Sequence, residues 1–331
     1  MQIVVTGSIA TDHLMTFVGR FAESLLAEQL DKISVSFLAE TLDIRRGGVA
    51  CNIAFGMACL GLRPILVGAA GDDFADYRSW LERHGVDCDS VRISDVAHTA
   101  RFMCTTDSDA AQIATFYAGA MAEAREIELQ PIADRVGGLD VVLIGPNDPD
   151  AMLRHTAECH ERGIPFAADP SQQLAFMDAP GIRRLIDGAT YLFTNEYESH
   201  LIVRKTGWSE TEISDRVQVR VITRGKDGAT ILRAGDDPVH VAVAPARQVA
   251  DPTGVGDAFR AGFLAGVSWK LPVELCAQLG SLLATYVVET VGTQEYGDRL
   301  GGYLERFAAA YGEEAAGQVA PLLPSRLRGG S

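Results

Sequence analysis

Short apolar runs that alternate with helical segments constrain the fold of this chain most strongly. The runs are rich in β-branched residues and include Ile3–Thr6, Ile65–Ala69, Val141–Ile144, Pro165–Ala168, Tyr191–Thr194 and Val219–Thr223. Most of them are followed by residues with the apolar spacing of a helix, as in Ala50–Leu60, Phe74–His84, Asp150–Arg162 and Glu196–Lys205. This alternation predicts βαβ units, and therefore a parallel sheet that helices cover on both faces.

Two stretches interrupt that order with a pattern typical of half-exposed antiparallel strands. Lys32–Arg45 begins with alternating apolar and polar residues, and Arg101–Tyr117 predicts two strands around the polar turn Asp107–Ala111. We expect these strands to form a small β lid over the carboxyl edge of the main sheet. The predicted organisation is a large α/β domain of residues 1–13, 47–99 and 118–331, with a lid of residues 14–46 and 100–117.

The last third of the chain predicts a hairpin and then long helices. Ala229–Arg233 and Val239–Val243 flank a polar turn, and helical spacing follows in Asp257–Ser268 and Pro272–Thr290. The tail from Glu313 is rich in Ala, Gly and Pro, and we expect it to be peripheral.

The charge balance excludes several classes of partner. The chain has 29 lysines and arginines against 44 aspartates and glutamates, which gives a formal net charge of −15. A surface this acidic repels phosphate backbones and anionic lipid, so neither nucleic acid nor a membrane is an expected partner. No apolar run approaches the roughly 18 residues that span a bilayer, and the first residues lack a secretory signal pattern. The six cysteines form no C-x-x-C pair, which is typical of reduced thiols, so we expect a cytoplasmic location.

The strongest local motif is Asp251-Pro-Thr-Gly-Val-Gly-Asp257, which stands just before a long apolar-periodic helix. The backbone amides around Gly254 and Gly256 can converge on an anion there, and the helix dipole adds positive potential. Asp257 then lies beside the position of a transferring phosphoryl group, and it can accept a proton from a hydroxyl. The alternative is structural: the glycines make a turn, and Asp257 caps the helix.

A second glycine motif, Arg46-Gly47-Gly48-Val49-Ala50-Cys51-Asn52, leads from the lid into a helix. Paired glycines permit a hinge and the close approach of a ligand to the backbone, and the Asn52 amide offers a donor and an acceptor to a hydroxyl. The alternative is a tight turn with Asn52 facing solvent. The sequence contains neither G-x-x-x-x-G-K-[ST] nor G-x-G-x-x-G, which removes the main support for a P-loop kinase or a Rossmann dehydrogenase.

The two segments together resemble the two signatures of the ribokinase-like (phosphofructokinase-B type) family of sugar and nucleoside kinases. The first segment agrees throughout, from Gly47 to Gly71. The second agrees from Asp251 to Leu264 except at Val255, where the family usually has a small residue. Two motifs about 200 residues apart in the expected order are much more specific than either one alone.

The resemblance implies a fold and a chemistry. The implied fold is a ribokinase-like α/β fold, in which helices flank a central, mostly parallel sheet and a small β-sheet forms a lid. The implied donor is ATP. In the implied reaction Asp257 is the general base, and the amides of Gly254 and Gly256 stabilise the transferring phosphoryl group.

The segment Gly7–Asp12 follows the first strand, as the family's substrate-binding opening does. The resemblance implies that Ser8 and Asp12 contact the acceptor there, together with Gly48 and Asn52. A carboxylate such as Asp12 can accept hydrogen bonds from two vicinal hydroxyls, as a ribose presents them. The alternative for Asp12 is a structural carboxylate in a turn or a helix cap.

A metal motif follows another predicted strand. Asn195-Glu196-Tyr197-Glu198 matches the family's N-x-x-E, which implies that Asn195 and Glu198 organise Mg²⁺ and phosphate largely through water. The alternative for Glu198 is a carboxylate that interacts with a helix dipole. Many family members are also activated by K⁺ near the loop that holds the residue matching Asp251, and the resemblance extends that expectation to this chain.

The segment Thr223-Arg-Gly-Lys-Asp-Gly228 resembles the family's nucleotide loop. The resemblance implies that Thr223, Gly225 and Gly228 bind ATP, together with Gly256. Taken without the resemblance, the segment is a glycine-rich turn that enters a hairpin.

The lid indicates which acceptor is bound. Folding the hairpin about Asp109 places Phe102 opposite Phe116 on one face of the lid. Two opposed rings make a wall for a flat base, and stacking on a base is worth about 1–3 kcal/mol per ring. Gln172 and Gln173 follow another strand and can present a donor and an acceptor to an adenine edge. The alternatives are rings that form the core of the lid or a dimer contact, and glutamines that are simply exposed at a helix start.

Together the rings, the amides and Asp12 make the chain resemble bacterial adenosine kinases of the mycobacterial type. The predicted reaction transfers the γ-phosphoryl group of ATP to the 5′-hydroxyl of adenosine and gives AMP and ADP, a step of purine salvage. The alternatives are a ribokinase or another sugar kinase of the same fold, and a non-catalytic nucleoside-binding protein. The intact Asp257 and N-x-x-E motif favour an enzyme.

The lid also predicts self-association. The expected strand Ile33–Leu38 places Ser36 on one face, and Val35 and Phe37 on the other. In ribokinase-like dimers two lids often pack as a clasp, so the resemblance implies a homodimer in which Ser36 contacts the partner's acceptor. Such a dimer would also cover the apolar face of Val35 and Phe37 on an edge strand.

Overall fold

An eight-stranded sheet forms the centre of this computed structural model, which describes residues 1–24 and 34–329. In chain order the strands are β1 (Ile3–Thr6), β2 (Ala10–Thr16), β3 (Thr41–Gly47), β4 (Ile65–Val67), β5 (Ala69–Gly71), β6 (Arg92–Ser94), β7 (Ala100–Thr106), β8 (Gln112–Tyr117), β9 (Val141–Ile144), β10 (Phe166–Ala168), β11 (Tyr191–Asn195), β12 (Val219–Thr223), β13 (Ala229–Leu232) and β14 (Val239–Val241). The strand order of the main sheet is β14-β13-β12-β11-β10-β9-β1-β4, and β5 pairs separately with β6.

The main sheet is parallel from β4 to β12, and only β13 and β14 run antiparallel to their neighbours. The predicted mostly parallel sheet and the hairpin after β12 are therefore confirmed. Parallel strands end at the same edge of a sheet, so the segments that follow β1, β9, β10, β11 and β12 meet at the carboxyl edge, where α/β proteins bind their ligands.

Helices cover both faces of this sheet. In chain order the helices are α1 (Phe21–Ser24), α2 (Val49–Cys59), α3 (Ala75–His84), α4 (Leu129–Val136), α5 (Pro149–Arg162), α6 (Ala179–Ile186), α7 (Glu196–Thr206), α8 (Glu210–Arg216), α9 (Val255–Ser268), α10 (Val273–Val288), α11 (Tyr303–Tyr311) and α12 (Glu313–Val319). Of these, α1 packs within the lid, and the others belong to the main domain. Alternate strand residues face opposite layers: Ile3 and Val5 pack with α2, α9 and α10, whereas Val4 packs with α4 to α8. Among the described residues, no helix combines the length and apolar character needed to cross a membrane.

The tail beyond Glu313 belongs to the core, so the expectation that it is peripheral is wrong. Ala316 and Val319 of α12 are buried in the larger core, and so are Leu323 and Leu327 after it. The alanines and glycines of the tail obscure the few large side chains that anchor it.

A four-stranded sheet with the order β3-β2-β7-β8 forms the lid. The predicted hairpin register is confirmed, because Phe102 of β7 lies opposite Phe116 of β8. Strand β2 begins at Ala10, so residues 10–13, which the sequence assigns to the large domain, belong to the lid sheet. Asp12 therefore lies inside a lid strand, opposite Arg45 and Phe102, rather than at the end of β1.

The prediction of a lid strand over Ile33–Leu38 is wrong. Ile33 lies outside the described residues, and residues 34–39 form no strand. The ring of Phe37 instead packs against Phe17 and Phe21 of the same chain, with centroids 5.0 and 4.8 Å away. Because this aromatic cluster takes up Phe37, the strand beside β2 is β3, which begins at Thr41.

Candidate active site

A cavity of about 430 Å³, here called the lid cavity, lies between the lid and the carboxyl edge of the main sheet. It is lined by every residue predicted to bind the acceptor except Ser36, namely Ser8, Asp12, Gly48, Asn52, Phe102, Phe116, Gln172 and Gln173. Gly254 and Asp257 line it as well. Ser36 is exposed and is not among the described residues that line the lid cavity.

The N-terminus of α9 carries the predicted anion hole and base. Gly254 occupies the N-cap position with φ 78°, a left-handed conformation that favours glycine. A Cβ there would lie 2.9 Å from the side chain of Thr293. The helix begins at Val255, two residues before the predicted start, so Asp257 is inside its first turn and is not the cap. The alternative of a structural capping role for Asp257 is therefore wrong.

The carboxylate of Asp257 is held by Asn52. Asn52 Nδ2 donates to Asp257 Oδ2 over 2.8 Å, and Asn52 is only 6% exposed, which rules out the alternative that it faces solvent. Burial raises the pKa of Asp257 to about 7, against the opposing effects of the Asn52 hydrogen bond and of the nearby Arg260. A carboxyl with a pKa near neutrality can both accept and release a proton at the pH of a cell.

A buried ion pair lies directly behind Asp257. Arg260, one turn further along α9, contacts both carboxylate oxygens of Asp169, with Nη2–Oδ1 2.6 Å and Nε–Oδ2 2.5 Å. Arg260 Nη1 also donates to the carbonyl of Gly256 over 3.0 Å. Through these contacts Arg260 links the first turn of α9 to Asp169, the residue that follows β10. Neither residue was predicted from the sequence, although an arginine inside an otherwise apolar helix is a visible signal.

Asp12 contributes a second carboxylate to the lid cavity. Its burial raises the pKa to about 6, while the positive charge of Arg45 on the adjacent strand β3 works in the opposite direction. Arg45 is itself ion-paired with Asp43 over 2.5 Å, and its guanidinium lies 3.8 Å from Asp251. The lid thus supplies an acceptor of hydrogen bonds that faces the same cavity as Asp257.

The floor of the lid cavity is the crossing between β1 and α2. Ser8 Oγ accepts a hydrogen bond from the backbone N–H of Val49, so its side chain completes the start of α2. Gly48 has φ 89°, and a Cβ there would lie 2.6 Å from backbone atoms of Ser8 and Ala10. Only glycine allows the two segments to approach this closely, which leaves the backbone open to a ligand.

Aromatic rings also line the lid cavity. Phe102 and Phe116 face each other across the hairpin and are 36% and 52% exposed. Phe176, which was not predicted from the sequence, also lines the cavity and is 81% exposed. It comes from the main domain, three residues after Gln173, so both the lid and the main domain contribute aromatic residues to the cavity. The sequence carries no distinct signal for it, because Phe176 stands in the apolar run Leu174–Met177.

The two glutamines differ in the hydrogen bonds that their side-chain amides make to the protein. Gln173 Nε2 donates to the carbonyl of Asn147 over 2.7 Å, which fixes one side of its amide. Gln172 is exposed, and its Oε1 accepts from Ser171. Gln172 therefore keeps its NH₂ group available to a ligand in the cavity.

A second cavity of about 410 Å³, here called the turn cavity, lies beside the turn between β12 and β13. The predicted ATP-binding residues Thr223, Gly225, Gly228 and Gly256 line it, and its other walls are mostly apolar side chains. Gly254 lines the lid cavity and Gly256 the turn cavity, so the N-terminus of α9 stands between the two. A phosphate chain that reaches from one cavity to the other would meet the amides of this helix start.

Asn195 and Glu198 form a capping box at the start of α7. Asn195 Oδ1 accepts from the N–H of Glu198, and Glu198 Oε2 accepts from the N–H of Asn195, both over 2.8 Å. Asn195 lies opposite Thr223 in the β11–β12 pair, so the box adjoins the turn cavity. Burial raises the pKa of Glu198. A carboxylate is an oxygen donor of the kind that a hard cation such as Mg²⁺ prefers, so Glu198 fits Mg²⁺ held through water.

The chain belongs to the pfkB family of carbohydrate kinases, whose model matches residues 6–298. The predicted family and the predicted ribokinase-like fold are thereby confirmed. Kinases of this family use ATP, generally with Mg²⁺, so the chain is an ATP-dependent phosphotransferase.

Relatives with known structures or names support the assignment. The chain is 32% identical over 273 residues to a nucleoside kinase of Methanothermobacter thermautotrophicus, covering 81% of this chain and 86% of that one. It is 36% identical to Burkholderia thailandensis nucleoside kinase in complex with inosine, with a TM-score of 0.80 over 94% of this chain and 98% of that chain. Arabidopsis thaliana ribokinase, complexed with ribose and ATP, shares the fold with a TM-score of 0.73 at 23% identity over 89% and 95% of the two chains.

Proposed function

We propose that this protein is a nucleoside kinase that transfers the γ-phosphoryl group of ATP to the 5′-hydroxyl of adenosine, which gives AMP and ADP. The observation that carries the proposal is the lining of the lid cavity, which combines aromatic rings with two ionisable carboxylates, Asp12 and Asp257. A free pentose needs the carboxylates but gains little from Phe102, Phe116 and Phe176. A nucleoside uses both kinds of group, since its base stacks on rings and its ribose offers hydroxyls.

In the proposed reaction the ribose lies over the floor of the lid cavity. Asp12 accepts hydrogen bonds from the vicinal hydroxyls, and the backbone of Gly48 allows the sugar to approach. The 5′-oxygen attacks the γ-phosphorus while the bond from that phosphorus to the β,γ-bridging oxygen breaks and ADP leaves. The hydroxyl proton goes to Asp257. The amides of Gly254 and Gly256 stabilise the charge on the transferring group, so catalysis consists of positioning and electrostatics.

ATP occupies the turn cavity in this proposal, with its phosphates directed to the start of α9. Mg²⁺ held through water beside Asn195 and Glu198 supplies charge neutralisation on the phosphates when it is bound. Because the chain carries a net charge of −15, binding of anionic ATP depends on local groups, which are the helix start, the glycine amides and the metal. Dependence on K⁺ near Asp251 is proposed on the family resemblance alone.

We also propose that the protein forms a homodimer through the face of the lid opposite the cavity. Leu42, Ile44, Ile113 and Tyr117 share this face and are 56%, 57%, 42% and 40% exposed. A second lid would cover them, and Ser36 would reach the partner's site only across such a contact. Sedimentation equilibrium is expected to give twice the mass of the chain, and a monomer at all concentrations would contradict the proposal.

Inosine is the second candidate acceptor, because a relative that is 36% identical is described in complex with it. The Gln172 amide can turn either its oxygen or its nitrogen toward a purine edge, so this residue accommodates both bases. Two competing functions, a sugar kinase that acts on ribose and a non-catalytic nucleoside-binding protein, are distinguished from a nucleoside kinase by experiment.

The test is a thermal-shift panel of nucleosides and sugars followed by a coupled assay of ADP release with Mg²⁺. Adenosine is expected to raise the melting temperature and to support turnover with the highest kcat/KM. A tenfold or greater preference for ribose would overturn the nucleoside assignment. A melting shift with adenosine but no ADP release would favour the binding protein.

A further inference from the structure

A continuous chain of hydrogen bonds leads from Trp80 through the buried Gln294 and Asn52 to the carboxylate of Asp257. The indole N–H of Trp80 donates to Gln294 Oε1 over 3.0 Å. The Gln294 amide donates to Asn52 Oδ1 over 3.0 Å, and the Asn52 amide donates to Asp257 over 2.8 Å. Gln294, at the centre of the chain, is only 1% exposed, and its bond to Asn52 is buried. We call these four residues the amide relay.

The relay has a direction because an indole N–H can donate and cannot accept. It therefore holds the oxygen of the Gln294 amide toward Trp80 and leaves the NH₂ group facing Asn52. The Asn52 oxygen must accept from that group, so the Asn52 NH₂ is turned to Asp257. One unambiguous donor thus decides the orientation of two amides, either of which could otherwise rotate by a half turn at little cost.

A branch of the relay reaches the lid. The second hydrogen of the Gln294 NH₂ goes to Tyr77 Oη over 2.6 Å, and Tyr77 donates to the carbonyl of Gly47 over 2.9 Å. Gly47 is the last residue of β3, at the junction of the lid with α2. The guanidinium of Arg46, its neighbour, lies 4.1 Å from the centre of the Trp80 ring. The donors in this network are matched with acceptors, as a buried polar network requires.

We propose that Gln294 and Trp80 are positioning residues for phosphoryl transfer, a role that rests on the proposed function. They hold Asn52 with its NH₂ on one oxygen of Asp257, which favours the ionised carboxylate and lets its other oxygen face the acceptor hydroxyl. Neither Gln294 nor Trp80 lines the lid cavity, so both would act on the reaction through Asn52.

The alternative orientation of Asn52 shows why direction matters. If the Asn52 amide turned by a half turn, its oxygen would face the carboxylate of Asp257, and the two acceptors would repel each other. Burial already raises the pKa of Asp257 to about 7, and the nearby carboxylates of Asp169 and Asp12 add to this rise. The Asn52 hydrogen bond and the charge of Arg260 oppose it. Losing the bond leaves more of the base protonated at neutral pH.

Trp80→Phe is the sharpest test, because it deletes one N–H and keeps an aromatic ring under Arg46. The matched control is Trp208→Phe, where Arg216 lies 4.4 Å from the ring centre in the helical layer on the opposite face of the sheet. Since turnover needs ionised Asp257, kcat/KM for adenosine rises with pH through the pKa of that group. The acidic limb of the Trp80→Phe profile is expected to move up by about one pH unit. At pH values below the midpoint of the wild type, kcat/KM should therefore be about tenfold lower than that of the wild type, and at pH 9 it should be nearly the same.

Gln294→Met provides the second variant, since it keeps the side-chain length and removes both donors and the acceptor. It is expected to shift the acidic limb at least as far as Trp80→Phe does, while Trp208→Phe leaves the limb in place. A limb that stays at the wild-type pH in both relay variants, or a uniform loss at every pH, would overturn the proposal in favour of a purely structural role.

The relay can also be tested without a substrate. In protein labelled with ¹³C at aspartate carboxyls, the signal absent from Asp257→Asn reports the titration of Asp257 directly. The relay variants are expected to raise its midpoint, and an unchanged midpoint would contradict the relay. If the wild type phosphorylates no nucleoside but the midpoint still moves, the proposed function fails and the relay stands.

Discussion

The lid cavity and the turn cavity flank the same helix start, yet they are built in different ways. The lid cavity is lined by polar side chains in directed contacts, such as Asn52 on Asp257, and the buried pair of Arg260 and Asp169 lies behind them. The turn cavity has mostly apolar walls, and its hydroxyls are largely committed to the backbone: Thr285 donates to the carbonyls of Ala244 and Ser281.

The difference indicates which step each cavity controls. Directed hydrogen bonds and desolvated charges fix atoms to within a fraction of an ångström, which the reacting hydroxyl and its base require. Apolar walls and glycine amides hold a flat base and a phosphate chain by shape and dipole, which tolerates small displacements. We therefore expect substitutions beside the lid cavity to lower kcat or stability, and substitutions in the turn cavity to change the KM for ATP.

The largest expected effect is that of Asp257→Asn on turnover. The variant keeps the shape of the carboxyl but cannot accept the hydroxyl proton, and general-base catalysis contributes about 10²–10⁴-fold. Steady-state assays should show a fall of kcat by about a thousandfold, while calorimetry should give adenosine affinity close to that of the wild type. Turnover within tenfold of the wild type would show that another group is the base.

The buried pair beneath the lid cavity should be the most sensitive structural contact. Arg260→Met leaves Asp169 buried without its partner, which typically costs about 3–5 kcal/mol of unfolding free energy. Arg306→Met is the matched control near the turn cavity, because its 2.8 Å pair with Glu289 is more exposed. Urea denaturation should show the larger loss for Arg260→Met, and partial recovery in the double variant Arg260→Met with Asp169→Leu. Equal losses for the two single variants would remove this contrast.

The stability of the wild type should depend on pH through Asp257. Burial raises the folded-state pKa of Asp257 to about 7, above its ordinary value, so the folded state binds this proton more tightly than the unfolded state. The contribution is present in acid, and it is lost as the pH rises through about 7. Asp257→Asn lacks this loss, so its Tm should match that of the wild type near pH 4 and exceed it at pH 8. A Tm at pH 8 no higher than that of the wild type would contradict the desolvation of Asp257.

Selectivity for the base should depend on the rings of the lid. Phe102→Leu removes one stacking surface, and the expected loss in kcat/KM for adenosine is about tenfold, while that for ribose stays within about twofold. Phe17→Leu is the control, because Phe17 packs on Phe21 within the lid and does not line the cavity, and it should change neither. If kcat/KM fell equally for adenosine and for ribose, the ring of Phe102 would stabilise the lid and would not stack on the base.

The smallest effect is expected in the turn cavity. Thr223→Val removes one hydroxyl from a mostly apolar wall, and a neutral hydrogen bond is worth about 0.5–1.5 kcal/mol. The KM for ATP should rise severalfold, and kcat should stay within about twofold. A fall of kcat by more than tenfold would mean that the turn cavity also positions the reacting atoms.

Local signals made much of this structure predictable. The parallel strands follow from continuous apolar runs, and the pairing of Phe102 with Phe116 follows from a symmetric hairpin turn. The glycine motifs located the helix starts of α2 and α9, because a conformation with φ near 80–90° favours glycine. These inferences rest on short-range constraints that the chain carries within a few residues.

Long-range contacts could not be predicted in the same way. Gln294 and Asn52 are 242 residues apart in sequence, and no local pattern pairs them. The aromatic cluster that removes Phe37 from the lid sheet also depends on tertiary packing, which overrides the alternating pattern of the segment. Side chains such as Arg260 are informative only once their buried partners are known.

The most direct test of the account is a competition between two acceptors in one tube. The protein is supplied with MgATP and equal concentrations of adenosine and ribose, and ³¹P NMR follows the two phosphorylated products. The aromatic wall of the lid cavity predicts that AMP forms at least about tenfold faster than ribose 5-phosphate, because stacking favours the nucleoside by at least one ring. Ribose 5-phosphate in tenfold excess would contradict the account and assign the lid cavity to a sugar.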